Sequence, residues 1–270
     1  MEALALGHMQ RSLLQRLNSL FGNVLESTVT KSTNALHPVE SEMDPLSSQK
    51  GQVRFLLEVA FNYSVNGLRR SGYFVDLAAG HPTSLSNTYF LERYLGWSGL
   101  LIEPNPTFAD ALRRDRRSPV VQSVVGQDGK TVPFRFDNNE LGGIVGDEYD
   151  NSPVFRHKEL ASARIEHFVC RSLSSILQES GSPPEMDYLS LDVEGSEWTV
   201  LRDFDFDRWR WKAITAERPS NDLNLLLDSA GYIQVGHCRF DTFYIHKNFM
   251  SQADRTKIKP QFRTTPPKSW

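Results

Sequence analysis

The run GYFVDLAAGHPTSLSNTYFLERYLGWSGLLIEPNP at residues 72–106 constrains this chain more than any other stretch. Residues 73–77 read as a short apolar strand ending in Asp76, and the small residues Ala78, Ala79 and Gly80 turn the chain behind it. Ser84, Ser86, Asn87 and Thr88 follow. Their short oxygen-bearing side chains can accept from the unpaired amides of a first helical turn, so a helix is predicted over residues 89–95. Gly96-Trp97-Ser98-Gly99 ends that helix and launches a second buried strand, residues 100–102, terminated by Glu103. Strand, tight turn, helix and strand in one run make a βαβ unit, and an acid at the end of its second strand stands where such units meet a ribose diol.

The same alternation continues on both sides. A helix is predicted over residues 52–66, another over 107–114, a strand over 119–125, a turn at Gln127-Asp128-Gly129 and an edge strand over 132–136. Residues 137–159 are rich in Gly, Asn and Asp and show no period, as expected of a lid or substrate wall. Helices at 174–179 and 197–204 flank a strand at 186–192, and a strand at 211–217 precedes a helix at 221–230 that Gly231 closes. Residues 232–238 and 241–246 form a terminal hairpin around Arg239 and Phe240. The pattern predicts an α/β fold of about seven core strands, mostly parallel, with an antiparallel hairpin last and helices on both faces.

Composition narrows the partners. The chain has 270 residues, 39% of them hydrophobic, enough to bury one full α/β core. Its 30 Lys and Arg against 33 Asp and Glu leave a net charge of −3, so no basic field draws in nucleic acid. Cys170 and Cys238 make neither a disulfide framework nor metal-ligand spacing, which favours a reducing compartment. No apolar run reaches the length of a bilayer span, and the N-terminus lacks the order of a signal peptide, so a cytoplasmic location is expected. Leu13, Leu14, Leu17, Leu20, Phe21, Val24 and Leu25 recur at helical spacing. That stripe packs on the domain or on a second subunit, as a homodimer surface, or lies on a membrane surface. The organisation expected is a helix and linker over 1–50, one domain over 51–250, and a basic, Pro-punctuated tail over 251–270.

Ligands of open α/β sheets lie beyond the carboxyl ends of the strands, which is where Asp76, Glu103, Asp192 and Glu217 fall. Any one acid has a plainer use, and Asp192 or Glu197 can simply cap the next helix. Four strand-end acids around one crevice exceed what structure requires.

The runs SNTYFLE, GWSGLLIEPNP and LSLDVEGSE, with CRSLSSIL before the last and FYIHK at the close, resemble the FkbM family of S-adenosylmethionine-dependent methyltransferases. The resemblance covers residues 73–247 and implies a class I, Rossmann-like methyltransferase fold. It also implies O-methylation of a hydroxyl on a carbohydrate or small natural-product acceptor. Carried over by position, it places Asp76, Ala78 and Gly80 in the loop beneath the methionine part of the cofactor, supported by Ser86, Asn87 and Thr88. Glu103 would take both ribose hydroxyls with Asn105 beside it, Ser123 and Val124 would lie near the adenine, and Asp192 and Glu194 would reach the cofactor amino group and the reacting centre. Ala78 and Pro82 stand where many members have glycine, so positive φ is less freely available there.

Methyl transfer from a sulfonium to oxygen is an in-line displacement that needs alignment and a base. The candidates for that base are Asp192 and Glu194, then Glu217, with His81 and His237 as imidazole alternatives. Paired acids can also hold a divalent metal such as Mg, and sequence leaves metal-assisted and metal-free routes both open. A nicotinamide oxidoreductase is disfavoured by the missing G-x-G-x-x-G turn. A non-catalytic interaction or trafficking protein on the same scaffold is kept in view by the altered turn at 78–82.

Overall fold

The computed structural model describes residues 48, 51–61, 71–136, 142–154, 156–238 and 240–250. The apolar stripe at 13–25, the linker up to residue 47 and the tail beyond 250 lie outside the described residues. The first element is α1 (Gln52–Phe55), which continues as a π-helical turn, Leu56–Ala60, where the Phe61 amide donates to the Leu56 carbonyl at 2.9 Å. The remainder of the predicted 52–66 helix also falls outside the described residues.

The predicted βαβ unit is present as β1 (Tyr73–Leu77), α2 (Tyr89–Leu95) and β2 (Ser98–Ile102). After it come α3 (Pro106–Asp115), β3 (Val120–Val121), β4 (Thr131–Arg135), β5 (Gly143–Ile144), α4 (His157–Leu160) and β6 (Ile165–Val169). The chain then runs through α5 (Leu173–Glu179), β7 (Glu185–Leu191), α6 (Glu197–Leu201), β8 (Arg210–Glu217) and α7 (Asn221–Ser229). The closing hairpin is β9 (Tyr232–Cys238) with β10 (Asp241–His246).

Seven strands form one sheet in the order β3-β2-β1-β7-β8-β10-β9. All neighbours are parallel except β10, which is antiparallel to both β8 and β9. Residues 75, 77, 189, 191, 214 and 216 face one side with Leu173, Ile176 and Leu177 of α5, Val200 and Leu201 of α6, and Leu223 and Leu227 of α7. Strand side chains alternate, so Phe243 faces the opposite side from Tyr244, and Phe55 of α1 stacks on it at 4.5 Å. Helices therefore cover both faces. At Gly99, opposite Phe74, an added Cβ would sit 2.4 Å from the Phe74 carbonyl oxygen, so only glycine admits the close approach of β1 and β2.

Strand order reverses between β1 and β7. The chain leaves β1 in one direction through β2 and β3 and returns on the other side, which opens a crevice beyond the carboxyl ends of these two strands.

Three readings need correction. Residues 132–136 do not edge the main sheet. As β4 they centre a second, antiparallel sheet of order β5-β4-β6, with Val132, Phe134, Phe136 and Ile144 in a small core of their own. The stretch at 137–159 holds β5 and α4 rather than an unstructured connection. The strand at 119–125 is only Val120–Val121, because beyond Val121 the chain leaves β2 and the Val124 carbonyl instead accepts from the Arg171 amide at 3.0 Å. Among the described residues no helix is long and apolar enough to cross a membrane.

Candidate functional site

The turn after β1 divides the crevice into two cavities. Ala78 adopts φ 55° and Gly80 φ 58°, so alanine takes the left-handed conformation that glycine would take freely, at a cost of about 1–2 kcal/mol. Positive φ, expected to be less freely available at Ala78, is adopted there all the same, with that strain.

The first cavity, of about 580 Å³, lies between the ends of β1 and β2 and the second sheet. Its walls are apolar, from Leu77, Ile102, Phe108, Val124, Phe134 and Ile144, and Ala78, Gly80, Ser123 and Asn105 also line it. Glu103 is buried in this lining, with one carboxylate oxygen accepting from the Gly80 amide at 2.9 Å and the other from the Asn105 amide at 2.7 Å. Burial pushes its pKa up to about 7, against these two hydrogen bonds. Each oxygen keeps a second lone pair for a ligand. Asn105 itself is the N-cap of α3, its Oδ1 accepting from the Thr107 amide at 3.0 Å, and the Ser123 hydroxyl donates to the Val124 carbonyl at 3.2 Å.

The second cavity, of about 460 Å³, lies across the turn and is polar, lined by Asp76, Ser84, Ser86, Asn87, Ser190 and Asp192 together with 78–81. Asp76 is buried and accepts from the Thr88 hydroxyl at 2.6 Å, and Asn87 Nδ2 donates to the Ser190 hydroxyl at 3.1 Å. Burial raises the Asp76 carboxyl above its usual range, opposed by Thr88, Arg116 and Ser190. His81 is exposed at the rim. Its Nδ1 accepts from the Thr83 and Ser84 amides at 3.2 and 3.0 Å, which leaves Nε2 free of that work. His237 lies on β9 opposite Thr242 and lines neither cavity.

Behind the loop stands Arg116, whose side chain is fully buried. Its guanidinium donates to the Pro82 carbonyl (3.1 Å), Ser86 Oγ (3.2 Å) and Thr88 Oγ1 (3.1 Å), and pairs with Glu92 at 3.3 Å. Burial alone would raise Glu92, but the Arg117 amide and the Arg116 charge hold it below the ordinary range. Four side chains, Asp76, Thr88, Arg116 and Glu92, thereby fix the shape of loop 82–88. Sequence reasoning missed Arg116, which sits in the run RRDRR and reads there as one more solvated charge.

The third part is an acid cluster at the ends of β7 and β8. Asp192 is raised well above the carboxylate range by burial and then by Glu217 and Glu194. Glu194, in the left-handed region at φ 52°, is pushed up to about 7 by burial and Glu217. Glu197 is pushed up to about 8 by burial, although its Oε1 accepts from the Val193 and Gly195 amides at 3.1 and 3.3 Å and so fastens the DVEG turn. Glu217 receives Arg218 Nη2 at 2.8 Å. Asp150, which arrives from the segment after β5, contacts the same nitrogen, and its amide donates to the Glu194 carbonyl at 3.2 Å. One carboxylate oxygen from each of Asp150, Glu194 and Glu217 lies within 4.8 Å of the others, a spacing suited to a divalent cation. Asp150 and Arg218 carried no signal in the sequence beyond their neighbours. The structure thus gathers Asp76, Ala78, Gly80, Glu103, Ser123, Val124, Asp192, Glu194 and Glu217 around one crevice, with Ser86, Asn87 and Thr88 forming its loop.

The profile of the family described as "Methyltransferase FkbM domain" matches residues 76–233, from the acid at the end of β1 into β9. "Methyltransferase sdnD" of Sordaria araneosa is 26% identical over 235 residues, an alignment covering 74% of this chain and 90% of that relative. No solved structure matches the chain significantly.

Proposed function

The chain belongs to the FkbM methyltransferase family, and from that premise we propose that it uses S-adenosylmethionine to methylate a hydroxyl of a carbohydrate or small natural-product acceptor. The observation that carries this reading is the pair of cavities on either side of the turn 78–80. The apolar cavity, with Glu103 buried in its lining, suits a nucleoside whose ribose hydroxyls donate to the carboxylate. The polar cavity, lined by Asp76 and Asp192, suits an amino-acid end with its ammonium. A sulfonium between the two would sit beside strand-end acids, where a positive charge is favoured. The strand order, with β10 reversed, supports a class I methyltransferase fold.

When bound, the cofactor supplies an electrophilic methyl group. The protein's share is to align the acceptor oxygen and to take its proton. Asp192 is our choice for the base, because burial and the neighbouring Glu217 raise its proton affinity toward the working range of a general base. Glu217 and Glu194 beside it strengthen its hold on the proton it accepts, and His81 at the rim is the alternative acceptor of the proton. The walls from β4 to β6 would select the acceptor. The non-catalytic reading rested on the altered turn, and Ala78 at φ 55° keeps that turn open, which supports the enzyme reading instead.

The test is calorimetric titration with S-adenosylmethionine and S-adenosylhomocysteine beside a Glu103→Ala variant, followed by an acceptor screen over glycans with wild type and Asp192→Asn. Micromolar binding lost in the first variant, and transfer lost in the second with binding weakened but still measurable, are the expected results. Absence of binding by the folded wild type would sink the assignment.

A further inference from the structure

Asp150, Glu194 and Glu217 come from three separate segments: the stretch after β5, the turn after β7 and the end of β8. Three hard oxygen donors this close repel one another unless a cation stands among them. What stands there is a side chain. Arg218 Nη2 lies 2.8 Å from Glu217 Oε2 and 3.3 Å from Glu194 Oε2, and it also contacts Asp150 Oδ2.

The backbone holds the arginine in place at some cost. Arg218 has φ 39°, a left-handed conformation that disfavours any residue with a Cβ. Such strain persists where surrounding contacts over-determine it. Here the Arg218 amide donates to the Phe240 carbonyl at 2.8 Å, and its guanidinium lies 5.8 Å from the centre of the Phe240 ring. The side chain is thus anchored from the β9–β10 hairpin while its tip reaches the acids.

We propose that Arg218 is a built-in cation of this site: its guanidinium occupies the place among Asp150, Glu194 and Glu217 that a divalent ion would take, ties the three segments together, and makes the site independent of metal. Arg218 is then a positioning residue. It holds the Glu194 and Glu217 carboxylates beside Asp192, and it leaves the cluster short of full neutralisation, so a cationic ligand in the adjoining cavity is still favoured. The inference extends the methyl-transfer reading but is measured by metal binding alone, so either can fail without the other.

The experiment is a titration of the full chain with Mn²⁺, following the electron paramagnetic resonance signal of the free ion, for wild type, E194Q, R218K, R218M, R218A and the double variant R218A/E194Q. Wild type and R218K are expected to show no saturable site. R218M and R218A remove the charge, with and without the aliphatic bulk, and are expected to bind one Mn²⁺ roughly tenfold or more tightly than wild type. The double variant should lose that gain. Thermal melts identify which variants are folded, and either of R218M and R218A suffices. One Mn²⁺ bound by wild type and lost in E194Q would overturn the inference, as would folded charge-removal variants that bind no better than wild type.

Discussion

Changing Glu103 to Gln is expected to flatten the pH dependence of nucleoside binding while weakening it at high pH. Burial lifts the carboxyl from 4.5 to about 7, helped by the Asp76 charge and opposed by the Gly80 and Asn105 amides. Two ribose hydroxyls donating to it require the ionised form, whose fraction falls about tenfold per pH unit below that value, or about 1.4 kcal/mol of affinity per unit. Wild type should therefore bind S-adenosylhomocysteine roughly tenfold more weakly at pH 6, and roughly a hundredfold at pH 5, than above pH 8. In the glutamine variant affinity at pH 8 should drop by about 1.5–3 kcal/mol, the worth of hydrogen bonds to a charged group, and the decline toward pH 5 should become shallower, leaving what Asp76 and Asp192 contribute. Stability in the absence of ligand carries the opposite sign. The folded pKa is raised, so the protonated form's contribution is fully present below about 4.5 and is lost as pH rises through about 7, a change of about 3 kcal/mol by which the pH dependence of urea unfolding in wild type should exceed that in the variant, where the other buried carboxyls still titrate. Calorimetric titrations of both proteins at four pH values decide the matter. Parallel pH profiles would refute the assignment of Glu103 to the ribose.

Two further outcomes follow from the loop. Arg116→Met should destabilise the fold by about 3–5 kcal/mol in urea unfolding, because it removes the buried cation of Glu92, leaving only the exposed Arg117 at 3.8 Å, and strips loop 82–88 of three hydrogen bonds; a loss under 1 kcal/mol would contradict the buried pair. Ala78→Gly should stabilise by up to about 1 kcal/mol, since relief of the left-handed strain outweighs the added chain entropy. A lower melting temperature in that variant would count against the conformation described.

The βαβ unit and the four strand-end acids were legible because parallel strands buried on both faces read as continuous apolar runs, and an acid that interrupts such a run at its end is conspicuous. β6 was not legible. In Ile165–Val169 the apolar residues at 165 and 169 face outward while Glu166 and Phe168 are half-buried, so its alternation is inverted relative to the usual amphipathic signal. Without that partner, residues 132–136 could only be assigned to the main sheet. Arg116 was hidden for a different reason. Its neighbour Arg114 has a side chain 72% exposed and that of Arg116 is fully buried, and the difference depends on Pro82, Ser86 and Thr88, about thirty positions upstream. At Ala78 the glycine rule gives a cost and no prohibition, and a penalty of about 1–2 kcal/mol is small beside what a packed sheet can offset. Asp150 acts only through partners far away in sequence, and apart from the adjacent Glu217 so does Arg218.

The topology also sets when the crevice comes into being. β1 is held between β2 and β7, the Tyr73 amide reaches Asp187 across 114 positions, and Gln52 reaches Asp241 across 189. Contacts of such separation form late in folding, since their loops must close before the pairing returns any stability. A chain emerging from the ribosome has Asp76 and Glu103 early but lacks Asp192, Arg218 and Phe240 until most of the domain has been made. The crevice is therefore a product of complete folding, and a ligand held there locks the finished sheet rather than templating its assembly.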